Sequence, residues 1–263
     1  MTAPTLSRMP AIFFGHGSPM NTLARNRYTD AWRQLGALAG RPKAILAISA
    51  HWYTQGTAVT AMERPKTIHD FYGFPQALFD VQYPAPGDPE LAARVRDLLA
   101  PVAVALDHSW GLDHGTWSVL KHVFPDADVP VVQLAIDAAQ PAAFHHAIGA
   151  HLAPLRDEGV LLVGSGNVVH NLRLIGWEGG APYDWAARFN DYVRDALSTG
   201  QYERLVHYEQ AGPDARLAVP TPEHYLPLLY VLGAQHEDEA LHVAIDGIEI
   251  RAIGMLSVWL GSR

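Results

Sequence analysis

Histidines are the side chains of this sequence whose number and placement point most clearly to chemistry. The chain of 263 residues has 14 histidines and no cysteine. A neutral imidazole is the commonest protein ligand for transition metals, and its pKa near neutrality also suits it to proton transfer. The absence of cysteine excludes disulfides, iron–sulfur clusters and thiolate zinc sites. The composition therefore favours a metal or acid–base site built from imidazoles.

Four histidines share one setting, just beyond a predicted strand and in a loop with glycine or other small residues. They are His16, His51, His114 and His170. Loops that follow parallel strands lie along one edge of an open α/β sheet, where such sheets bind ligands. A fifth histidine, His224, lies in a Pro-Thr-Pro-Glu-His segment at the predicted start of a helix. We therefore expect the fold to bring these histidines together at a metal site.

The spacing of these histidines limits the type of metal site. The sequence has no His-Glu-x-x-His pair, which excludes a zincin-type protease. Histidine-rich ligation without thiolates suits Zn(II), Fe(II), Mn(II) or Cu(II), and three protein ligands with open positions on the metal would indicate catalysis. The other histidines in helical or polar contexts are interpreted as structural or solvated: His145, His146, His151, His207, His236 and His242.

Strand and helix patterns alternate along the chain. Apolar runs predict strands at residues 12–14, 44–49, 57–61, 102–106, 131–135, 160–164, 241–245 and 255–260. Helices are predicted at residues 88–99, 116–123, 141–155, 185–198 and 202–209, and from the Pro-Thr-Pro-Glu-His segment to about residue 233. This alternation predicts an α/β fold, a single domain over residues 1–263 with a central mostly parallel or mixed sheet covered by helices on both faces.

Composition and charge exclude several classes of partner. A formal net charge of −8 argues against nucleic acid. Residues 1–8 lack the hydrophobic core of a signal peptide, and no apolar run is long enough to span a bilayer. We therefore expect a cytoplasmic protein without a membrane partner, either a monomer or a small homo-oligomer.

Six segments, taken in order, identify a family. The chain resembles the DOPA-type extradiol ring-cleaving dioxygenases, which are related to the catalytic subunit of protocatechuate 4,5-dioxygenase. The resemblance covers nearly the full length and rests on Gly15-His16-Gly17-Ser18-Pro19, Ser49-Ala50-His51-Trp52, His69-Asp70-Phe71-Tyr72-Gly73-Phe74-Pro75, Leu112-Asp113-His114-Gly115-Thr116-Trp117, Gly166-Asn167-Val168-Val169-His170-Asn171 and Pro222-Glu223-His224.

The resemblance implies a non-haem Fe(II) enzyme that uses O₂ to open a DOPA-like catechol to a muconic semialdehyde. It implies that His16, His51 and His224 are metal ligands. It further implies that His170 is the catalytic base or an additional metal ligand, and that His114 is a second catalytic histidine that contacts substrate or dioxygen.

The identity of the third ligand stays open at this point. The wider superfamily uses two histidines and a carboxylate, whereas this chain has the adjacent pair Glu223 and His224. A third neutral imidazole would favour a doubly deprotonated catechol and would also make Zn(II) a strong competitor for the site. A zinc-dependent hydrolase, or a non-catalytic protein with a saturated histidine site, is the alternative interpretation.

The long irregular segment at residues 64–87 is typical of a functional loop. Its aromatic side chains can stack on a substrate ring, so His69, Phe71 and Tyr72 are the candidate substrate-binding residues. Arg25, Arg27 and Lys66 are candidates for binding a substrate carboxylate, although each is interpreted first as a solvated charge.

Overall fold

A mixed sheet of eight strands runs through the centre of the computed structural model, which describes residues 8–261. Within this range the strands are β1 (Ala11–Gly15), β2 (Ala44–Thr54), β3 (Thr57–Thr60), β4 (Val104–Asp107), β5 (Val131–Asp137), β6 (Val160–Gly166), β7 (Leu241–Ile245), β8 (Ile248–Glu249), β9 (Ile253–Gly254) and β10 (Ser257–Leu260). The order in the main sheet is β4-β3-β5-β2-β6-β1-β10-β7, and β8 pairs with β9 separately.

The four central strands of the sheet, β5, β2, β6 and β1, are parallel to one another. Antiparallel pairs join β3 to β5 on one side, and β1 to β10 and β10 to β7 on the other. The prediction of a single α/β domain with a mostly parallel or mixed sheet is confirmed. The carboxyl ends of the central strands consequently meet along one edge.

Helices cover both faces of the sheet. Within the described range they are α1 (Arg27–Ala39), α2 (Gln76–Phe79), α3 (Pro89–Leu98), α4 (His114–Val123), α5 (Ala142–Leu152), α6 (Pro154–Asp157), α7 (Asp184–Ser198), α8 (Tyr202–Val206), α9 (Pro213–Ala218) and α10 (Leu226–Gly233). Alternation along β1 places Ile12 and Phe14 in a core with Trp32 of α1 and Trp117 of α4. Phe13 points to the opposite core, which α3, α5, α7 and α10 complete.

Several predicted boundaries differ from the structure by two residues or more, and three of these differences have a clear physical cause. Strand β2 continues beyond residue 49 to Thr54, because Tyr53 and Thr54 pair again with β5 after a register irregularity. The helix predicted over residues 141–155 is interrupted at Pro154, because proline has no backbone N–H with which to continue the helical hydrogen bonds. Helix α4 begins at His114 rather than at residue 116, since the side chain of Asp113 caps it.

Helix α1 had no counterpart in the sequence prediction. Asn26 caps it by accepting from the backbone N–H groups of Tyr28 and Thr29, and Thr29 accepts from Asn26 in return. Residues 1–7, which bear on the signal-peptide prediction, lie outside the described range. No helix of residues 8–261 has both the length and the apolar character needed to cross a membrane.

Candidate active site

His16 lies directly after β1 and is only 2% exposed. Its Nδ1 is 2.9 Å from the hydroxyl oxygen of Ser165. That hydroxyl donates its proton to the carbonyl oxygen of Gly115 at 2.5 Å. The Ser165 oxygen is therefore left to accept a hydrogen bond from Nδ1–H of His16. This arrangement fixes one tautomer of His16 and leaves the lone pair on Nε2 free to bind a ligand.

The chain around His16 depends on two glycines. A Cβ at Gly15 would overlap the backbone of Met255 and Leu256 on the adjoining segment. Gly17 adopts a φ of +62°, in the left-handed region that glycine enters without strain. The Gly-His-Gly sequence thus lets the backbone turn tightly at the end of the strand.

Strand β2 carries His51 past its last pairing with β6 at Ser49. The Nε2 atoms of His51 and His16 are 3.5 Å apart. On the far side of the ring, Nδ1 of His51 is 3.3 Å from Oδ2 of Asp70. The carboxylate therefore favours a proton on Nδ1 and leaves the Nε2 lone pair directed toward His16.

His224 reaches the site from the turn that precedes α10. Its carbonyl accepts a hydrogen bond from the N–H of Asn167 at 2.8 Å, which ties this turn to the end of β6. The side chain is buried, and its Nδ1 is 3.2 Å from Oε1 of Glu223. The ligand atoms of His16, His51 and His224 all lie within 4.8 Å of one another. A carboxylate oxygen of Glu223 lies within the same distance of ligand atoms of His170 and His224, but Glu223 does not belong to the cluster of His16 and His51.

His170 stacks on His224. The two ring centroids are 3.5 Å apart and the ring planes differ by 8°. His170 follows β6, and its backbone N–H donates to the carbonyl of Ala218 at 2.8 Å. Burial, and to a lesser extent the charge of His114, lowers the pKa of His170 to about 4.

His114 and Asp70 complete the group. The ring centroid of His114 is 3.8 Å from that of His51. Asp70 accepts from the backbone N–H of His114 at 2.9 Å, and its second oxygen is 3.0 Å from Nδ1 of the same residue. Burial opposes ionisation of Asp70, but hydrogen bonding to His114 and the charges of both histidines outweigh it. The pKa of the carboxyl is therefore below its ordinary value.

The three clustered imidazoles are neutral at physiological pH. Burial lowers the pKa of His16, His51 and His224 well below the usual value, and the charges of neighbouring histidines lower the pKa of each further. Neutral imidazole is the form that binds metal ions. Two nitrogens bound to one tetrahedral ion at about 2.1 Å each are roughly 3.4 Å apart. The 3.5 Å separation of Nε2 in His16 and His51 fits this value. The donor set therefore fits a divalent transition metal.

The histidines lie in a cavity of about 540 Å³. Phe71 and Tyr72 line it, as the sequence predicted of them, but His69 does not. The ring of His69 lies instead beside Phe71 and Trp117, and its Nε2–H donates to the carbonyl of Val81 at 2.9 Å. The structure therefore brings the five predicted histidines together with Phe71 and Tyr72. His69 does not line the cavity, and neither do the carboxylate-binding candidates Arg25, Arg27 and Lys66.

Sequence reasoning missed two supporting residues. Asp70 directly follows His69 in one of the six family segments. Its carboxylate could have been predicted from the sequence as a partner for a metal-binding histidine. Ser165 lies within β6, where a lone serine between glycines gives no sign of a histidine partner. The outer wall was also missed; it is formed by Leu172, Ile175, Trp177, Ile250 and Ile253.

Comparisons with known proteins identify the family of the chain. A family profile described as the catalytic LigB subunit of aromatic ring-opening dioxygenase matches residues 5–260. The chain is 56% identical over 261 residues to the 4,5-DOPA dioxygenase extradiol of Escherichia coli K12. The alignment covers 97% of this chain and 96% of that protein. It is 41% identical over 248 residues to the 4,5-DOPA dioxygenase extradiol of Beta vulgaris, with 90% and 91% covered.

A solved structure shows the same fold. The crystal structure of an uncharacterized protein from Escherichia coli K12 matches with a TM-score of 0.85 and 51% identity, covering 97% of this chain and 100% of that one. The family match extends over almost the whole chain. The chain therefore belongs to the LigB family of aromatic ring-opening dioxygenases, and it is an enzyme of the extradiol ring-cleaving type.

Proposed function

We propose that this enzyme uses O₂ to cleave a catechol beside its two hydroxyl groups, giving a muconic semialdehyde. The observation that supports this most strongly is the convergence of His16, His51 and His224, all neutral, in a cavity walled by aromatic side chains. Relatives named 4,5-DOPA dioxygenase extradiol support a catechol as the substrate class.

In this proposal His16, His51 and His224 hold one divalent metal ion through Nε2. Ser165, Asp70 and Glu223 each lie beside the Nδ1 of one of these rings and hold it in the tautomer that metal binding needs. Fe(II), when bound, supplies the electron transfer that makes O₂ reactive toward a catechol. Zn(II) suits the same three imidazoles and would occupy the site without that redox chemistry.

His170 is the proposed catalytic base. The lone pairs of an imidazole lie in its ring plane, and the planes of His170 and His224 are nearly parallel at 3.5 Å. Because the two sets of lone pairs lie in separate, nearly parallel planes, an ion lying in one ring plane lies outside the other. This supports a free His170 that takes a proton from a catechol hydroxyl, and it opposes a saturated four-histidine site.

His114 is the proposed second catalytic histidine. Its backbone and ring are both held by Asp70, which leaves Nε2 as the atom available to the cavity. A hydrogen bond from this atom would stabilise negative charge as it develops on dioxygen or on the opening ring. Phe71 and Tyr72 form the wall against which the aromatic ring is positioned, and His69 supports Phe71 from behind.

Oxygen uptake tests the proposed function. The metal-stripped protein is loaded anaerobically with Fe(II) or with Zn(II), and catechol or DOPA is added with O₂. We expect stoichiometric O₂ uptake and a yellow product from the Fe(II) sample only. Absence of uptake with every catechol, or equal activity of the Zn(II) sample, would contradict the proposal.

A further inference from the structure

A buried polar network lies behind the site histidines, at the start of α4. Asp113, the residue before this helix, and Gln133 of β5 are both fully buried. The side-chain amide nitrogen of Gln133 donates to one carboxylate oxygen of Asp113. The other oxygen accepts from the backbone N–H of Thr116 at 3.1 Å, and the Thr116 hydroxyl donates to the amide oxygen of Gln133 at 2.9 Å. A closed ring of hydrogen bonds therefore joins the first turn of α4 to β5.

The first turn of α4 supports three of the site histidines. His114 is its first residue. Gly115 lies so close to the ring of His51 that a Cβ there would overlap the ring carbon Cδ2. The carbonyl of Gly115 accepts the hydroxyl proton of Ser165, which in turn holds Nδ1 of His16. A shift of this turn would therefore displace His114, crowd the ring of His51 and disturb the support of His16.

The network is more than a helix cap requires. One oxygen of Asp113 caps α4, and an exposed serine or asparagine could do the same. Gln133 lies between the buried Val132 and Leu134 on a strand in the interior of the sheet. Burial of a carboxyl group and an amide costs free energy that an apolar pair would not. A buried polar network whose members all have partners fixes one arrangement of the elements that it joins.

From this geometry, and resting on the proposed ring-opening function, we propose that Asp113 and Gln133 are positioning residues for the reaction. Neither belongs to the residues that line the cavity. They fix the first turn of α4 against β5 and so hold His114 beside His51, at a distance of 3.8 Å between ring centroids. The side chain of His114 is thereby placed in the cavity before the substrate binds, which lowers the cost of reaching the reactive arrangement.

Exchange of donor and acceptor across the pair tests this proposal. Asp113→Asn turns an NH₂ group either toward the NH₂ of Gln133 or toward the N–H of Thr116, so two donors face each other in both orientations. Gln133→Glu added to Asp113→Asn restores one donor and one acceptor, with the same number of heavy atoms and the same net charge. If Asp113→Asn does not fold, Gln133→Met removes the donor to Asp113 and serves as the single variant.

The kcat of the Fe(II)-loaded enzyme is measured by O₂ uptake at saturating catechol, with the iron content of each variant determined. We expect the single variant to lose about 10–100-fold in kcat. The double variant should recover at least about tenfold of any larger loss, or most of a smaller one. A network that only stabilises the helix would lower the melting temperature and leave kcat unchanged, and that result would overturn the proposal. Recovery of the melting temperature without recovery of kcat would also overturn it.

Glu239→Gln is the matched control. Glu239 pairs with Arg156, which is fully buried and donates to the carbonyl of Met9. This pair lies at the amino end of β1, whereas His16 follows the carboxyl end of the same strand. Glu239→Gln should lower the melting temperature and leave kcat unchanged. An equal loss of kcat in Glu239→Gln and Asp113→Asn would contradict a specific role of Asp113.

A measurement without turnover follows the position of His114 directly. The ¹⁵N chemical shifts of its imidazole, assigned by comparison with His114→Gln, report the tautomer and hydrogen bonding of the ring in the Zn(II)-loaded protein. We expect these shifts to change in Asp113→Asn, to return toward the wild-type values in the double variant and to stay constant in Glu239→Gln. A loss of kcat without any change in the shifts would contradict the proposal, because His114 would not have moved.

The two proposals fail in different ways. If the shifts of His114 follow the expected order but the wild-type enzyme consumes no catechol with Fe(II), the ring-opening function is wrong, while Asp113 and Gln133 still position His114. If catechol is consumed but neither kcat nor the shifts change in Asp113→Asn, the ring-opening function stands and the positioning role is wrong.

Discussion

Replacing Ser165 by alanine should weaken metal binding without removing any metal ligand. The Ser165 hydroxyl accepts from Nδ1–H of His16 at 2.9 Å and donates to the carbonyl of Gly115 at 2.5 Å. His16 and Ser165 are 2% and 1% exposed, so water cannot replace the hydroxyl without a rearrangement. In Ser165→Ala the proton of His16 moves freely between the two ring nitrogens, and the form that binds metal keeps a buried, unsatisfied N–H.

The size of the effect follows from that lost hydrogen bond. An unsatisfied buried donor costs about 1–3 kcal/mol. Loss of a residue that orients a metal-binding histidine lowers metal affinity by about 10–100-fold, which corresponds to about 1.4–2.7 kcal/mol. The two ranges agree. We therefore expect the Kd for Zn(II) to rise by about 10–100-fold, measured by competition with a chromophoric chelator.

Ser257→Ala is the matched control. Ser257 is also a buried serine, on the strand beside β1, but within residues 8–261 its hydroxyl forms hydrogen bonds with the backbone of Gly15 and Met255 and with no histidine. Both variants lose buried hydrogen bonds and should lose similar thermal stability, while only Ser165→Ala should lose metal affinity. A Ser165→Ala protein that binds Zn(II) as tightly as Ser257→Ala would refute the proposed role of the tautomer.

Three further perturbations follow from the structure. In Gly166→Ala the new Cβ would overlap the carbonyl oxygen of His224. A thermal melt should show a loss of about 1–3 kcal/mol in unfolding free energy, with weaker metal binding. An unchanged melting temperature would show that the turn at His224 moves to make room for the methyl group. Asp70→Asn removes the charge shared by His51 and His114. The chelator assay should show about a tenfold weaker site, and unaltered affinity would exclude this role. Burial lowers the pKa of His145 from 6.5 to about 4. The unfolded chain therefore binds a proton first as the pH falls, and stability present above about pH 6.5 is lost toward pH 4. Between about pH 7 and pH 5 the unfolding free energy of His145→Gln, measured in urea, should fall by about 2 kcal/mol less than that of the wild type. If the unfolding free energies of the two proteins fell equally with pH, the predicted contribution of His145 would be contradicted.

The parts of the fold set by local pattern were predictable from sequence. The apolar runs of β1, β5 and β6 gave correct strands, and Asp88 with Pro89 gave the correct start of α3. Helix α1 was missed, although Asn26 and Thr29 at its start form a capping box. A capping residue of this kind predicts the start of a helix even where the hydrophobic pattern is weak.

The end of β2 illustrates what local pattern cannot supply. Residues 51–54 continue the strand because β5 offers a second stretch of pairing partners after an irregularity. That pairing depends on the order of strands in the sheet, which no local window of sequence contains. The predicted loop position of His51 was wrong for this reason, although its approach to His16 was anticipated.

Partner residues at the site were harder to predict than the histidines themselves. Histidine after a strand is a visible signal, whereas Ser165 acts only because β6 lies beside β1 and places its hydroxyl at His16. His69 shows the opposite case. It shares a motif with Phe71 and Tyr72, yet packing against Trp117 turns it away from the cavity.

Isotope labelling tests the central claim most directly. The Fe(II)-loaded enzyme is supplied with a catechol and ¹⁸O₂, and the product is trapped and examined by mass spectrometry. A ring-opening dioxygenase built on His16, His51 and His224 should place two ¹⁸O atoms in each molecule of ring-opened product. A product with one ¹⁸O atom or none, or an intact ring oxidised to a quinone, would contradict the proposed reaction.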